Sequence, residues 1–212
     1  MRGSGLALGF AQLRDATARH GSAPEIGRAV IADAQLIALS RESRPAAIEA
    51  LYGAYKSRIY TFLLRLLADP ELADDLTQDV FTKAYQALGT LTNEHRVLPW
   101  LYRIANNAAI DHLRRRKRFA WLRVDRLLGT SEEPASADEH SAVPERDQVR
   151  AVLKLLTVEQ STALLLHALE GYSYKEIAQI QGATLAAVRS RIARGREAFI
   201  AAYETKEHRD SS

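Results

Sequence analysis

Ser173-Tyr174-Lys175-Glu176-Ile177-Ala178-Gln179-Ile180-Gln181-Gly182-Ala183-Thr184-Leu185-Ala186-Ala187-Val188-Arg189-Ser190-Arg191-Ile192 reads as two short helices joined by a tight turn. Ser173 with Glu176 three residues on has capping-box spacing, which satisfies the free N–H groups at a helix start. Ile177 and Ala178 are expected to face inward, the small Ala178 letting the next helix approach. Gly182 supplies the turn and Thr184 caps the second helix. There Leu185, Val188 and Ile192 are expected to point to the core, leaving Arg189, Ser190, Ala193, Arg194 and Arg196 outward. An outer face bearing arginines fits a duplex major groove, where guanidinium groups pair with guanine edges or phosphates. An ordinary helical hairpin with a solvated basic face has the same pattern, so this stretch alone does not settle function. Gly195 costs about 1 kcal/mol inside a helix, and the helix is expected to loosen there.

Helical periodicity continues upstream, from Val149, Val152, Leu153 and Leu156, and downstream to about Tyr203. Nearer the start, Ile48, Leu51, Tyr52, Tyr55, Ile59, Phe62, Leu63 and Leu66 recur at three- and four-residue spacing, predicting a helix over 46–67 with one buried face. Asp69-Pro70 reads as an N-cap followed by proline at the first helical position. That helix should run to about Leu88, burying Ala73, Leu76, Val80 and Ala84, with Gly89 closing it. Leu98-Pro99-Trp100 opens a third helix to about Arg118, with Leu101, Ile104, Ala105, Ala108 and Leu113 as its buried stripe. Three consecutive helices with short loops need one another to bury these faces, so they form one module. A further helix is possible over 29–39.

The fold class is therefore all-α, two small helical domains joined by an acidic linker. The expected boundaries are a mobile extension over 1–32, a first module over 33–122, a flexible linker over 123–147, a second module over 148–204 and a tail over 205–212. The linker centres on Ser131-Glu132-Glu133-Pro134-Ala135-Ser136-Ala137-Asp138-Glu139, which has no apolar periodicity. With 212 residues, 47% hydrophobic and 26% charged, the chain has an ordinary soluble balance. It has no cysteine, which excludes disulfides and thiolate metal sites, and no apolar run long enough for a membrane span. A cytoplasmic location is expected.

Net charge is only +3, but the charges are segregated. Arg96 to Arg126 holds nine Lys/Arg against two acids, whereas Asp69 to Asp79 holds five acids and no base. Two surfaces with different partners are expected. On the third helix Arg103, Asn107, Asp111, Arg114 and Arg118 fall near one face, and Arg114-Arg115-Arg116-Lys117-Arg118 can neutralise several phosphates. Asn107 can read an exposed base edge, and Trp100 and Tyr102 can stack on unpaired bases. A core place for Trp100 and a solvated helix end for the cations are the plainer readings. On the second helix Asp75, Gln78, Asp79 and Thr82 share a face suited to a basic protein partner. The helix dipole explains acids in its first turn but not Asp79.

The segments Asp69 to Phe81 and Trp100 to Arg115 resemble region two of the extracytoplasmic-function sigma factors of bacterial RNA polymerase. Glu170-Gly171-Tyr172-Ser173-Tyr174-Lys175-Glu176-Ile177-Ala178, followed by Val188-Arg189-Ser190-Arg191, is similar to their region four. The resemblance implies promoter recognition and DNA opening in transcription initiation, with no enzymatic activity, cofactor or metal. It implies that Asp75, Gln78, Asp79 and Thr82 dock on the clamp helices of the polymerase largest subunit, with the flap as a further contact of the polymerase core. Trp100, Arg103, Asn107, Asp111, Arg114, Arg115 and Arg118 would open the minus-ten element, Asn107 lining the pocket for a flipped base. Leu185, Ala186, Arg189, Ser190, Ala193 and Arg194 would read the minus-thirty-five element. The linker would thread toward the active-site cleft and RNA exit path, its acids Glu132, Glu133, Asp138 and Glu139 mimicking nucleic-acid charge. An anti-sigma factor is implied as a further partner.

The chain departs from the family pattern in three places. Leu156-Thr157-Val158 stands where Leu-Pro commonly opens region four, Leu185-Ala186-Ala187 replaces Val-Gly-Thr, and the loop over 90–99 is atypical. These bear on promoter sequence rather than class. A stand-alone helix-turn-helix regulator is the alternative, and it leaves the acidic and basic helices unused. A nucleic-acid enzyme is disfavoured, because the six histidines lack metal-ligand spacing and no glycine-rich phosphate loop exists.

Overall fold

The computed structural model describes residues 33–92, 96–126, 153 and 155–210, and every regular element among them is helical. The first module comprises α1 (Asp33–Glu42), α2 (Arg44–Leu67), α3 (Pro70–Ala87) and α4 (Val97–Arg126), with a 3-10 turn at Leu88–Thr90. The second comprises α5 (Val158–Ala168), α6 (Tyr174–Gln181) and α7 (Leu185–Asp210). The extension over 1–32, the linker acids, Val149 and Val152 lie outside the described residues.

Side chains set the helix boundaries of the first module. Ser43 caps α2 by accepting from the Ala46 N–H, with a proline in the first turn. The helix stops at Ala68, whose φ of 57° is left-handed, and the Ala68 N–H returns to the Leu64 carbonyl. Asp69 then accepts the Leu72 N–H at 3.0 Å and starts α3 with Pro70 inside the first turn. So tight a connection makes α2 and α3 neighbours, and α4 packs against both.

Two predicted boundaries are corrected. Gly89 does not close α3 in a left-handed conformation; the helix passes into the 3-10 turn, with Leu91 N–H bonded to Leu88 C=O at 3.1 Å. The third helix starts at Val97, so Pro99 is its third residue, and it runs past Arg118 to Arg126, through the expected start of the linker.

Leu36, Ile37, Leu51, Ile59, Leu63, Leu88 and Leu101 are fully buried between α1, α2, α3 and α4. Each such side chain contributes about 1.5–3 kcal/mol relative to exposure. Phe62 and Tyr102 meet edge-to-face at 5.0 Å within this core. Tyr52, expected on the buried stripe, is instead 37% exposed, leaning on Phe81 with the Lys56 ammonium over its ring. Arg44 donates to the Tyr85 and Gln86 carbonyls at 3.1 and 3.2 Å, placing a cation at the C-terminus of α3.

The second module is smaller. Thr157 and Gln160 form a capping box that starts α5 without the family's proline. Ser173 and Glu176 form the expected one on α6. Gly182 has φ 58°, and Ala183 N–H reaches the Ala178 carbonyl at 2.9 Å, ending α6 as glycine permits. Thr184 Oγ1 accepts from Ala187 N–H at 3.2 Å and starts α7. Ile177, Ile180, Val188 and Ile192 are buried as the periodicity requires.

Three expectations for α7 are corrected. Leu185 is not a core residue but 41% exposed. Arg196 is partly buried rather than outward. The helix does not loosen at Gly195 but continues to Asp210. The glycine is buried, and an added Cβ would lie 3.3 Å from Leu164 Cδ2, so its lack of a side chain serves a close approach.

Candidate nucleic-acid interface

On α4, periodicity puts Arg103, Asn107, Asp111, Arg114, Arg115 and Arg118 in solvent, and all six are exposed. Arg115 Nε donates to the Asp111 carbonyl at 3.3 Å. The guanidinium groups thus form a cationic strip with an amide at Asn107, a surface able to meet phosphates and one base edge. Trp100 and Tyr102 do not share it. Trp100 is 5% exposed and Tyr102 is fully buried, so neither presents a ring face for stacking in this arrangement.

Sequence reasoning passed over Asn106. It is 1% exposed, its Nδ2 donates to Asn107 Oδ1 at 3.4 Å, and its own Oδ1 is buried without a hydrogen-bond partner. The signal was available, because Asn106 lies on the apolar stripe with Tyr102 and Ala109, where an amide is out of place.

On α7, Leu185, Ala186, Arg189, Ser190, Ala193 and Arg194 are all exposed. Arg191 turns inward instead, donating to Gln181 Oε1 at 2.7 Å, while Gln181 Nε2 donates to the Glu159 carbonyl at 2.8 Å. This relay ties α5, α6 and α7 together and fixes the angle at which the outer face is presented.

On α3, Asp75, Gln78 and Thr82 are exposed and Asp79 is partly so. Asp79 pairs with Lys83 at 2.8 Å, and Asp74 accepts from Gln78 Nε2 at 2.9 Å. Such exposed pairs contribute at most about 1 kcal/mol, so a partner can exchange them readily.

The two modules touch. α4 packs against α5 and α6, and α2 against α5. Arg58 on α2 reaches Glu170, in the turn after α5, with Nη2 and Nε at 2.9 and 3.0 Å from Oε2. Tyr172 meets Tyr102 edge-to-face at 5.8 Å. Burial first, then the Glu170 carboxylate, pushes the Tyr102 hydroxyl well above the usual phenol range; Tyr172 is pushed up to about 12, again chiefly by burial. Arg96 pairs with Glu176 Oε1, while Glu176 Oε2 accepts from the Ser173 N–H at 2.9 Å and the Ser173 hydroxyl at 2.7 Å. Bonds from Ser173, with Arg96 adding, hold the Glu176 carboxyl below the usual carboxylate range. Between the modules lies an open cleft of about 330 Å³, with Arg96, Trp100 and Arg103 on one side and Glu176, Gln179 and Ile180 on the other. None of these inter-module contacts was legible in the sequence.

Among the described residues no group of three or more His, Asp or Glu is placed to hold a metal ion, and no helix is long and apolar enough to cross a membrane.

Both modules match a known family. Residues 51–119 match the Sigma-70 region 2 family and residues 146–199 match Sigma-70, region 4. RNA polymerase sigma-H factor of Pseudomonas aeruginosa is 33% identical over 181 residues, covering 79% of this chain and 91% of that protein. RNA polymerase sigma factor CarQ of Myxococcus xanthus is 32% identical over 160 residues, covering 74% and 89%. Among solved structures, CnrH in complex with the cytosolic domain of CnrY has a TM-score of 0.60 at 23% identity, covering 82% of this chain and 97% of that one. The sigma factor RpoE bound to the anti-sigma factor NepR from Bartonella quintana gives 0.59 at 22%, covering 74% and 96%.

Proposed function

The chain belongs to the extracytoplasmic-function sigma factors of RNA polymerase, and from that premise we propose how its surfaces divide the work of transcription initiation. The α3 face of Asp75, Gln78, Asp79 and Thr82 grips the polymerase largest subunit. The α4 strip of Arg103, Asn107, Asp111, Arg114, Arg115 and Arg118, with Trp100 behind it, opens the minus-ten element. The outer face of α7, from Leu185 and Ala186 through Arg189, Ser190, Ala193 and Arg194, reads the minus-thirty-five element in duplex form. The first module carries its tasks from 33 to the end of α4 at Arg126, and the second from 148 to the end of α7 at Asp210. The protein works in the cytoplasm, holds no cofactor and performs no chemistry of its own. Binding energy against unpaired bases offsets an unstacking cost of a few kcal/mol per step. An anti-sigma factor holds it inactive until released.

The observation that carries this reading is the single exposed face of α4, where cations flank the Asn107 amide and Asn106 steadies it. The test is run-off transcription with core polymerase on genomic fragments. The purified chain should direct initiation from a cognate promoter, and failure on every template overturns the reading. Asn107→Ala should lower open-complex formation about tenfold, a loss within the 1–3 kcal/mol typical of a base contact, while sparing duplex binding. Equal loss of both counts against the pocket role.

A further inference from the structure

Among its described residues the first module buries three polar side chains, Ser40, Thr77 and Asn106. Two of them are satisfied on their own helix. Ser40 Oγ donates to the Ile37 carbonyl at 2.7 Å, and Thr77 Oγ1 donates to the Ala73 carbonyl at 2.6 Å. Asn106 behaves differently. It is 1% exposed on α4, in a stretch where Ala105 and Ala109 are fully buried. Its Nδ2 reaches sideways to Asn107 Oδ1 at 3.4 Å, and its Oδ1 has no hydrogen-bond partner among the described residues. A buried acceptor left unpaired carries its full desolvation cost, whereas an apolar side chain of the same outline carries none. Stability alone therefore favours leucine over asparagine at this position.

The bond to Asn107 supplies another reason for the amide. A primary amide has an acceptor end and a donor end, and Asn106 occupies the acceptor end of its neighbour. Turning both amides over would keep one bond but bury the Asn106 amino group without an acceptor. An orphaned buried N–H is rarer in proteins than an under-satisfied carbonyl, so the pair is held in one sense. Asn107 is exposed, and its Nδ2 is the end left for a ligand. Arg103, one turn earlier on the same exposed face, carries only donors. A base that meets these two groups must offer acceptors, a carbonyl oxygen or a ring nitrogen.

We propose that Asn106 is a positioning residue for promoter opening. By holding Asn107 Oδ1 it fixes the sense of the Asn107 amide and turns the amino group toward the melted strand, so the captured base is recognised through an acceptor on its edge. The inference rests on the sigma reading above and gives its Asn107 contact a chemical direction. The fold gives up some stability at Asn106, and the strand meets an amide whose rotation is already restricted, which lowers the ordering cost of capture.

The test uses the full chain loaded on core polymerase. Of Asn106→Leu and Asn106→Ala, at least one should melt no lower than the wild type, because the orphan carbonyl is gone. Lower melting for both assigns the amide to the fold and overturns the inference. Either variant should lower open-complex formation about threefold, the scale of one ordinary hydrogen bond, and leave duplex binding unchanged. In a chain already carrying Asn107→Ala, neither should lower opening further. A packing defect subtracts the same amount in both backgrounds, so additive losses overturn the positioning role. Asn107→Asp keeps an acceptor for Asn106 but has no donor to offer, and its ratio of opening to duplex binding should fall at least as far as that of Asn107→Ala. A ratio near wild type overturns the proposed direction of the amide. Minus-ten strand oligonucleotides with one abasic position, moved along the element, give the finer reading. Wild-type holoenzyme should lose affinity at a position where the Asn106 variants lose less, and identical profiles overturn the role. If Asn107→Ala itself leaves opening intact, the strip reading of α4 falls. If it impairs opening and the Asn106 variants do not, the positioning role falls alone.

Discussion

Helices α2, α3 and α4 run for 24, 18 and 30 residues, whereas α5 and α6 run for 11 and 8. Helices shorter than about 12–15 residues are marginal in isolation. The two modules meet that difficulty differently. The first starts α2 and α3 with single caps and relies on a wide apolar contact centred on Leu51, Ile59, Leu63 and Leu101. The second spends side chains on nearly every helix end, with two capping boxes, a left-handed Gly182 and Thr184 at the start of α7. A small domain with little surface to bury must satisfy its backbone more completely, because each loose end is a larger share of its stability.

The largest test of this contrast is Leu101→Ala, which should destabilise the first module by about 2–5 kcal/mol in urea unfolding. A loss smaller than that from Ser173→Ala would break the comparison. Ser173→Ala itself should cost the second module about 1 kcal/mol. The same change at Ser43 should cost less, because the Ser173 hydroxyl also donates to Glu176 Oε2 at 2.7 Å and α2 has other support.

A smaller effect concerns acid. The folded pKa of Glu176 lies below its ordinary value of 4.5, so its contribution is complete above that value and is lost as pH falls through the folded one. Thermal melts from about pH 6 down to about pH 3 should show the wild type losing more stability than Glu176→Gln over the lower part of that range. Parallel curves would remove the carboxylate from the account of the module. Smallest of all are the helical glycines. A Cβ at Gly53 meets nothing within 4 Å, so Gly53→Ala should stabilise the chain by up to about 1 kcal/mol. Gly195→Ala should gain less, because Leu164 must give way; an equal gain would mean the second module is looser than its contacts imply.

The helical class and the separation into two modules were legible because each helix carries its own apolar period and several carry their own cap. Asp69-Pro70, Ser173 with Glu176, and Gly182 announce themselves through neighbours at most a few positions away. The exposed faces of α4 and α7 followed from the same period. What escaped was what depends on distance along the chain. Leu185 fits the periodicity, yet no neighbour covers it and it stands 41% exposed. Gly195 reads as a weak point until Leu164 is seen against it. Trp100 and Tyr102 look like aromatic platforms beside a basic run, but tertiary packing covers both. Arg58 and Glu170, 112 positions apart, give no local sign of each other.

Glu176 has two oxygens and two employments, one for each. Oε2 takes both bonds from Ser173, and Oε1 takes Arg96. An amide in its place would retain one acceptor for the helix start and offer the arginine an N–H instead. The chemistry of the group therefore makes the helix start and the ion pair with Arg96 separable at one position, by exchange of a single atom. Sequences that drift to glutamine here would keep the start of the helix while giving up the ion pair with Arg96.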